Sequence, residues 1–272
     1  MSTNPPADVA DLYDSPEGQI GPDLFGGHLH WGYWDESMAD ADFAAGAEKL
    51  AQLMIERTEV AAGQRFADLG CGVGFPAIKL AQAKGCFVDG VTISGSQQRR
   101  ATQNAEQAGL QNQLTFIHGT ALEVPRADAT YDGAWFFESI FHMGHEQALL
   151  EASRLMKPGA KLVLTDLPIL PHTTDTFLAQ MDEHIHSKFI TLDEYPDLMQ
   201  RTGFELLGVE DITANVMPWL VSKFKETLAQ HETLIKQAVP EDTDKIVDNW
   251  VYLFEVMSEN LGYVIVSARR KA

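Results

Sequence analysis

Cysteine is scarce in this sequence, which contains only Cys71 and Cys86 among its 272 residues. Two cysteines are too few for a disulfide framework and are typical of a reducing compartment. Long apolar runs are lacking as well, since LVLT at 162–165 is far too short to span a bilayer. The first residues, MSTNPPADVADLYD, contain neither a basic stretch nor an apolar one. We therefore expect a cytoplasmic protein that does not insert into a membrane.

Basic residues are in deficit: 20 Lys and Arg stand against 39 Asp and Glu, which gives a formal net charge of −19. Such a charge repels polyanions and argues against RNA, DNA and anionic membranes as partners. The acidic excess serves solubility, or it attracts a cationic substrate. We expect a small-molecule partner and no nucleic acid, in either a monomer or a homodimer.

The middle of the chain alternates short apolar runs with helical patterns, which predicts an α/β fold with a parallel sheet and helices on both faces. A helix over 39–61 precedes the first strand, whereas the first thirty residues show no periodicity. Strands are predicted at 65–69, 86–93, 114–117, 131–137 and 160–166, and helices near 75–84, 97–108 and 145–156.

The alternation of strands and helices ends after Asp166, where a loop that contains prolines leads into a mostly helical region. Two late strands enclose part of this region, which suggests an antiparallel edge into which a helical cap is inserted. The predicted elements are helices at 174–188 and 192–201, a strand at 204–212, a helical segment at 216–259 interrupted near Pro240, and a strand at 262–270.

A glycine-rich turn is the strongest local signal, in FADLGCGVGFPAIKLA at 66–81. Glycines let backbone amides approach a ligand closely, and the following helix N-terminus favours an anionic group. Taken alone, such a turn could serve NAD, FAD or no ligand. The third glycine, Gly74, comes one residue earlier than in the dinucleotide fingerprint, and Asp68 would repel a diphosphate while suiting an ammonium group. A cofactor without phosphates fits better.

Motifs in a fixed order extend over nearly the whole chain and are together more specific than the turn. They are HLHWGYWD at 28–35, DLGCGVG at 68–74, VTISGSQ at 91–97, YDGAWFFESIFHM at 131–143, RLMKPGAKLVLTD at 154–166 and GYVIVSARR at 262–270. This set resembles the class I S-adenosylmethionine-dependent small-molecule methyltransferases, in particular the branch with the rebeccamycin sugar O-methyltransferase, the tocopherol methyltransferases and the sarcosine/dimethylglycine methyltransferases.

The resemblance implies a Rossmann-like, seven-stranded, mostly parallel sheet with a helical cap, and S-adenosylmethionine as cofactor. We expect an N-terminal lid and helix over 1–62 and a cofactor-binding core over 63–170. The helical cap over the substrate site is expected at 171–190 and 214–260. The last helix and strands of the core are expected at 191–213 and 261–272.

The resemblance also implies which residues contact the cofactor. Gly70 and Gly72 are expected to face its methionine part, which Asp68 orients through the loop. Tyr33 and Trp34 resemble the N-terminal lid over the carboxylate or sulfonium, since a sulfonium beside an aromatic face is favourable. Packing of this segment on the sheet is the alternative, and the two roles are compatible. Gly74 and Phe137 complete the set at this end of the cofactor.

The ribose and adenine contacts depart from the family pattern. Thr92 occupies the position at the end of the second strand where the family often has an acidic residue, so Ser94 and Gln97 are expected to share the ribose contacts. Asp89 lies too early in the strand to substitute. The adenine is expected against Ala121 and Leu122, with Thr120 replacing a common acidic residue.

His142 is the candidate general base, because it follows the fourth strand at the carboxyl edge of the sheet and titrates near neutrality. The rebeccamycin-type pattern has two adjacent histidines there, whereas this chain has Phe141 before His142, so local packing remains an alternative. Asp166 is expected to pair with the base or hold the substrate, and Glu138 to hydrogen-bond the loop. His184 and His186 lack the spacing of a metal site, and no metal is expected.

The predicted reaction is methyl transfer to a small, partly apolar metabolite of natural-product type, most readily to a hydroxyl, with nitrogen and carbon acceptors as close alternatives. Two alternatives from other classes stay open at this point. A cyclase or isomerase that retains S-adenosylmethionine would bind the cofactor without forming S-adenosylhomocysteine, and a cofactor-free binding module would bind neither compound.

Overall fold

The computed structural model describes residues 7–241 and 243–272, and within these ranges it contains one seven-stranded sheet. Residues 1–6 of the predicted N-terminal region lie outside the described residues. The strands are β1 (Arg65–Leu69), β2 (Phe87–Thr92), β3 (Leu114–His118), β4 (Tyr131–Phe136), β5 (Met156–Asp166), β6 (Phe204–Asp211) and β7 (Val264–Arg270), in the order β3-β2-β1-β4-β5-β7-β6.

Strands β1 to β5 pair in parallel, so their carboxyl ends meet at one edge of the sheet. Strand β7 runs antiparallel to both of its neighbours, β5 and β6. The predicted mostly parallel, seven-stranded α/β sheet is confirmed. The reversed strand lies inside the sheet, and β6 forms its edge.

Both faces of the sheet are covered, because neighbouring residues of each central strand enter different hydrophobic clusters. Phe66 and Trp135 belong to one cluster, while Ala67 and Ala134 belong to the other. This alternation is what a pleated strand produces when helices pack on both faces. The helices that follow the strands are α4 (Phe75–Lys84), α5 (Gly95–Gln107), α6 (His145–Leu155), α7 (Asp175–Ile185) and α8 (Tyr195–Arg201).

The N-terminal region is more regular than its composition predicts. It forms α1 (Ala7–Asp14) and α2 (Pro16–Leu24), and the Ser15 side chain caps α2 by accepting from the Gly18 N–H. Helix α3 (Phe43–Arg57) is shorter than the predicted 39–61, because the Asp42 side chain caps it by accepting from the Ala45 N–H. Two short helices with few apolar residues give no periodic signal.

The long helical segment divides into α9 (Thr213–Gln230), α10 (Glu232–Ala238) and α11 (Thr243–Asn260). The chain leaves the helical conformation at His231 and again around Pro240, so the predicted interruption has two parts. Helices α9 and α11 pack together, and both line a cavity with Glu138 and Leu167, which follow the carboxyl ends of β4 and β5. Within the described ranges, no helix combines the length and the apolar character that crossing a bilayer requires.

Trp34 belongs to the core, and this position does not agree with the predicted role as a lid. Its side chain is 0% exposed, its indole N–H donates to Asp42 O at 3.3 Å, and its ring packs edge-on against Phe43. A Cβ added at Gly46 would overlap the indole, so the helix surface is shaped to receive it. Tyr33 donates its N–H to Gly46 O at 2.9 Å and is partly buried on the same core.

We predict that Trp34→Ala lowers the free energy of unfolding by about 3–5 kcal/mol, because it removes a fully buried aromatic side chain. Chemical denaturation of the cofactor-free protein measures this change. Tyr252→Ala is the matched control, since that ring is 57% exposed and its loss should change stability by less than about 0.5 kcal/mol. A small stability loss at Trp34 with a large loss of cofactor affinity would restore the lid role.

Candidate active site

A cavity of about 890 Å³, its open mouth included, lies at the carboxyl edge of the sheet. The loops after β1, β3 and β4 and the end of β2 form its walls, and α1 and the segment after α2 cover it. Of the predicted cofactor contacts, the residues that line it are Asp68, Gly70, Gly72, Thr92, Gln97, Thr120, Ala121 and Phe137. In open parallel sheets this edge is where ligands bind.

The glycine turn adopts the left-handed backbone that its sequence predicts, with φ of 96° at Gly70 and 52° at Gly72. A Cβ at Gly70 would overlap the side chain of Ser139, so only glycine allows the two loops to approach. Gly74 has a different position: it is the N-cap residue of α4, and a Cβ there would lie 2.6 Å from the Phe116 ring. Gly74 therefore serves helix–strand packing and does not line the cavity.

Asp68 is a buried carboxyl group, 1% exposed, at the floor of this cavity. Within the described part of the chain, neither of its oxygens has a hydrogen-bond partner. Burial raises the pKa of Asp68 to about 7, against a smaller opposing effect of the nearby Trp135 indole N–H, which is also buried without a hydrogen-bond partner among the described residues. A buried acceptor without a donor is costly, so this position is suited to a ligand that brings a donor or a positive charge.

The end of β2 presents a preformed polar pair. The Thr92 hydroxyl donates to Gln97 Oε1 at 2.7 Å, and both residues line the cavity. Ser94 is 0% exposed and caps α5, with its hydroxyl accepting from the Gln97 N–H at 3.0 Å. Ser94 thus positions Gln97 but does not itself line the cavity. Asp89 lies within β2 and forms a salt bridge with Arg126 at 2.8 Å. This agrees with the prediction that Asp89 does not contact the ribose.

The opposite walls are apolar. Phe137 stacks on His30, with ring centroids 3.9 Å apart, and both rings line the cavity. Thr120 and Ala121 line the side near β3, whereas Leu122 is not part of the lining and packs against the hydrophobic cluster that contains Ala121. His30 lies in the aromatic motif at 28–35, but the cofactor role in that motif was predicted for Tyr33 and Trp34, which do not line the cavity.

Helices α1 and α2 act as a roof that is clamped to α5. Asp14 accepts from the Ser94 hydroxyl at 2.5 Å, from the Ser96 hydroxyl and from the Ser96 N–H at 3.3 Å. Burial acts to raise the pKa of Asp14, but these hydrogen bonds outweigh it and hold the pKa below its usual value. Arg100 and Asp23 form a second clamp at 2.5 Å. Nothing in the sequence pattern indicated these contacts, which join residues about 80 positions apart.

His142 lies in a short 3₁₀ turn after β4, at Ile140–His142, and is held on both ring nitrogens. Tyr13 Oη lies 3.1 Å from Nε2, and Ser187 Oγ lies 3.1 Å from Nδ1. Burial lowers the pKa of His142 to about 4, so the ring is neutral at physiological pH. Tyr13 and Ser187 were not among the predicted site residues.

Asp166 does not lie across the opening from His142, which corrects its predicted role. Its carboxyl group is 0% exposed and bonds His145 Nε2 at 2.7 Å and the Tyr195 hydroxyl at 2.6 Å, on the far face of the sheet. It lines neither cavity. Since His145 begins α6 three residues after His142, Asp166 anchors the end of the loop that carries the candidate base.

Glu138 is more central than the sequence predicts. It has a left-handed backbone with φ of 48°, which is rare for a side chain of this size. Its Oε1 accepts from the Trp31 N–H at 2.8 Å and from the Tyr263 hydroxyl. Burial raises the pKa of Glu138 to about 8. The predicted loop hydrogen bond exists, and the carboxyl group also lines the cavity beside His142.

A second cavity, of about 1010 Å³ with its open mouth, adjoins the first. The roof helices α1 and α2 and the cap helices α9 and α11 enclose it, and most of its lining is apolar. Four residues line both cavities and mark the place where they meet: Tyr13, Leu29, Glu138 and His142.

The sequence matches the model of a family described as "Methyltransferase domain" over residues 67–164. It is 32% identical to the (+)-O-methylkolavelool synthase of Herpetosiphon aurantiacus, over 100% of this chain and 99% of that protein. It is also 32% identical to the O-methyltransferase resE of Aspergillus sclerotiorum, over 97% of each chain. Among solved structures, the [4+2]-cyclase SpnF superposes with a TM-score of 0.83 at 27% identity, covering 97% of this chain and 95% of that one.

The chain belongs to the class I S-adenosylmethionine-dependent methyltransferases. The predicted family, cofactor and enzyme class are confirmed. The first cavity fits this cofactor on its own evidence, because Asp68 lacks a donor that an ammonium group would supply. Gly70 and Gly72 of the glycine turn also line this cavity beside Asp68.

We predict that Asp68→Asn stabilises the cofactor-free protein and weakens cofactor binding. The pKa of Asp68 rises from 3.8 to about 7 on folding, so the wild type loses stability as pH rises from about 4 to 7. At pH 8 the variant should therefore melt at a higher temperature, while its Kd for S-adenosylhomocysteine rises at least about tenfold. Thermal unfolding and calorimetric titration measure the two effects.

Asp132→Asn is the matched control for this prediction. Asp132 lies on β4, accepts from Lys157 at 2.6 Å and from the Arg65 N–H at 3.0 Å, and these bonds outweigh burial to lower its pKa. Its replacement should lower stability above pH 4 and leave cofactor affinity unchanged. If Asp68→Asn also destabilises the cofactor-free protein at pH 8, the Asp68 carboxylate stabilises the fold by itself, and the prediction is wrong.

We predict that Asp14→Ala loosens the roof and raises the Kd for S-adenosylhomocysteine about tenfold, mainly through faster dissociation. The reason is that Asp14 supplies the contacts of α1 to the turn before α5. Stopped-flow displacement measures the dissociation rate. Asp11→Ala is the control, because Asp11 is exposed on the same helix. Equal rates for the two variants would show that the clamp does not govern release.

Proposed function

We propose that this methyltransferase transfers a methyl group to a hydroxyl of a small, partly apolar metabolite, with His142 accepting the proton. One observation carries the proposal: His142 lies where the two cavities meet, beside Tyr13 and Glu138. The cofactor occupies the first cavity and the acceptor the second. Methyl transfer is an in-line displacement, which requires donor and nucleophile to meet at such a junction.

The cofactor contacts follow from the lining of the first cavity. Asp68 is assigned to its ammonium group, Gly70 and Gly72 to its methionine part, and Thr92 and Gln97 to its ribose. Ala121, Thr120 and the stacked Phe137 form the apolar walls. When bound, S-adenosylmethionine supplies an electrophilic methyl group.

The hydrogen bonds around His142 determine which nitrogen accepts the proton. The Ser187 hydroxyl donates to Ile185 O at 3.1 Å, so it accepts from Nδ1–H of His142. Nε2 is then the acceptor, and it faces the Tyr13 hydroxyl. When the acceptor oxygen bonds to the methyl carbon, the bond from that carbon to the cofactor sulfur would break, and the hydroxyl proton would pass to Nε2 of His142, directly or through Tyr13. The products are a methyl ether and S-adenosylhomocysteine, and His142 then releases the proton to water.

The relatives support oxygen as the nucleophile. Those that align along the whole chain include proteins named O-methyltransferase and 27-O-demethylrifamycin SV methyltransferase. Nitrogen and carbon acceptors remain alternatives, and a neutral amine would need no base.

The likeness to a [4+2]-cyclase favours one second candidate, a cyclase that retains S-adenosylmethionine. The large apolar second cavity would suit such a reaction as well. The two candidates differ in one product, because a cyclase forms no S-adenosylhomocysteine.

We also propose that the protein acts in the cytoplasm, as a monomer or homodimer, on a free small molecule and not on nucleic acid. The net charge of −19 supports this, since it disfavours a polyanionic substrate. The two free cysteines suit a reducing compartment.

The test is incubation with S-adenosylmethionine and a panel of terpenoid and polyketide alcohols, with S-adenosylhomocysteine and the methylated product measured by mass spectrometry. With any acceptor found, His142→Gln should lower kcat about 10²–10⁴-fold, the usual contribution of a general base. Its Kd for S-adenosylhomocysteine should stay within about twofold. Tyr13→Phe should lower kcat less.

The pH profile gives an independent check. Because burial lowers the pKa of His142 to about 4, the ring stays neutral above about pH 5. The wild-type kcat should therefore show no loss with a midpoint near 6.5 and should fall only as pH approaches 4. His184→Gln, at an exposed position on α7, is the control. Full activity in His142→Gln would reject the base, and cofactor binding without any S-adenosylhomocysteine would favour the cyclase.

A further inference from the structure

We propose that the second cavity selects an uncharged, carbon-rich acceptor and rejects an anionic analogue of the same skeleton, such as a phosphate or sulfate ester. This inference rests on the proposed function for the location of the acceptor. It adds that the acceptor is uncharged, which transfer of a methyl group to a hydroxyl does not by itself determine.

The first observation is the chemistry of the walls. Phe224 and Phe254 stack with centroids 3.9 Å apart, and Trp31 lies 5.7 Å from Phe254. Phe224, Phe254, Trp250 and Leu253 form the cap side of the second cavity, and Trp31 lines it from the segment after α2. Flat aromatic walls provide large apolar contact area and few hydrogen bonds. They suit rings or isoprenoid-like chains.

The second observation is the sign of the charges that the side chains lining the second cavity can carry. Among the described residues, the ionisable side chains that line this cavity are Tyr13, Glu17, Glu138 and His142, and none is Lys or Arg. The pKa values of Tyr13 and Glu138 are raised by burial and that of His142 is lowered, so all three favour their neutral forms. An anion placed here would lose its water and find no cationic side chain among the described lining residues, which is strongly unfavourable.

The third observation is the partial burial of the apolar side chains on the cap helix α11. Of the residues described in α11, only Met257 is fully buried. Several large apolar side chains on the same helix are only partly buried against the core: Ile246, Val247, Trp250, Leu253 and Phe254. Of these, Trp250, Leu253 and Phe254 line the second cavity, and partly exposed apolar surface that faces a cavity marks a ligand-binding surface. An apolar acceptor would cover it.

The roof forms the other side of the second cavity, and the polar groups at one end determine how the acceptor is oriented. Leu12, Ile20, Leu24 and Phe25 from the first 25 residues line it opposite the cap. The polar groups Glu138 and His142 lie at the end that meets the first cavity. The acceptor therefore places its hydroxyl at His142 and its carbon skeleton between roof and cap.

The test measures binding without turnover, using the full chain saturated with S-adenosylhomocysteine. Two matched pairs are titrated: farnesol with farnesyl phosphate, and testosterone with testosterone 17-sulfate. Trp31 and Trp250 line the cavity, so quenching of tryptophan fluorescence reports occupancy. We expect at least one neutral compound to bind saturably and its anionic partner to bind at least about tenfold more weakly. Anionic partners that bind as tightly as the neutral ones, or no binding by either neutral compound, would overturn the inference.

A charge reversal makes the test specific to the cavity. Glu17→Lys places a cation in the lining and should reduce the discrimination against the anionic partner at least about fivefold. Glu36→Lys makes the same change at an exposed position outside the lining, and should leave the discrimination unaltered. Equal effects of the two variants would show a general charge effect and reject the inference.

The outcomes separate this inference from the proposed function. Selective binding of a neutral compound without S-adenosylhomocysteine production from S-adenosylmethionine would reject methyl transfer to that hydroxyl and leave the charge selection standing. Turnover of an anionic acceptor in preference to its neutral partner would support a methyltransferase and reject the charge selection. Trp250→Phe, which should weaken the quenching signal, confirms that the signal arises in this cavity.

Discussion

In the central strand pair, Asp68 of β1 lies opposite Trp135 of β4 in parallel register. These two strands mark the point where the order of the sheet reverses, so the loops that follow them diverge and leave a crevice. Ser139 ties the loops together at the base of the crevice, donating to Leu69 O at 2.6 Å. The glycine turn, Glu138 and His142 all lie on these two loops, and the whole site therefore depends on this pairing.

The two buried carboxyl groups at this crevice, those of Asp68 and Glu138, differ in the hydrogen bonds that they accept. Glu138 has two donors, from the Trp31 backbone and the Tyr263 hydroxyl, whereas Asp68 has none among the described residues. The cofactor-free fold thus tolerates an unpartnered carboxyl group at the floor of the first cavity, at a cost in stability above neutral pH. A ligand that brings an ammonium group removes that cost, so part of its binding free energy appears as stabilisation of the fold.

The sequence predicted the sheet, its helices and the cofactor well, because these depend on local periodicity and on a glycine turn whose φ angles only glycine adopts readily. It predicted the roof and the roles of single side chains poorly. Trp34 and Asp166 are conspicuous residues in motifs, yet both are buried by partners distant in the chain, Asn215 near Trp34 and Tyr195 near Asp166. Tyr13 lies 129 positions from His142, and no local pattern could connect them.

The proposed chemistry suits a site that is poor in positive charge. A bound S-adenosylmethionine would bring one positive charge and His142 would carry one after it accepts the proton, so methyl transfer would move a positive charge within the site and create none. A low-dielectric site opposes the creation of charge far more than its displacement. An anionic acceptor would add a negative charge to a lining that contains no Lys or Arg among the described residues. The scarcity of cationic side chains in the site is therefore compatible with proton transfer to His142, and it disfavours an anionic acceptor.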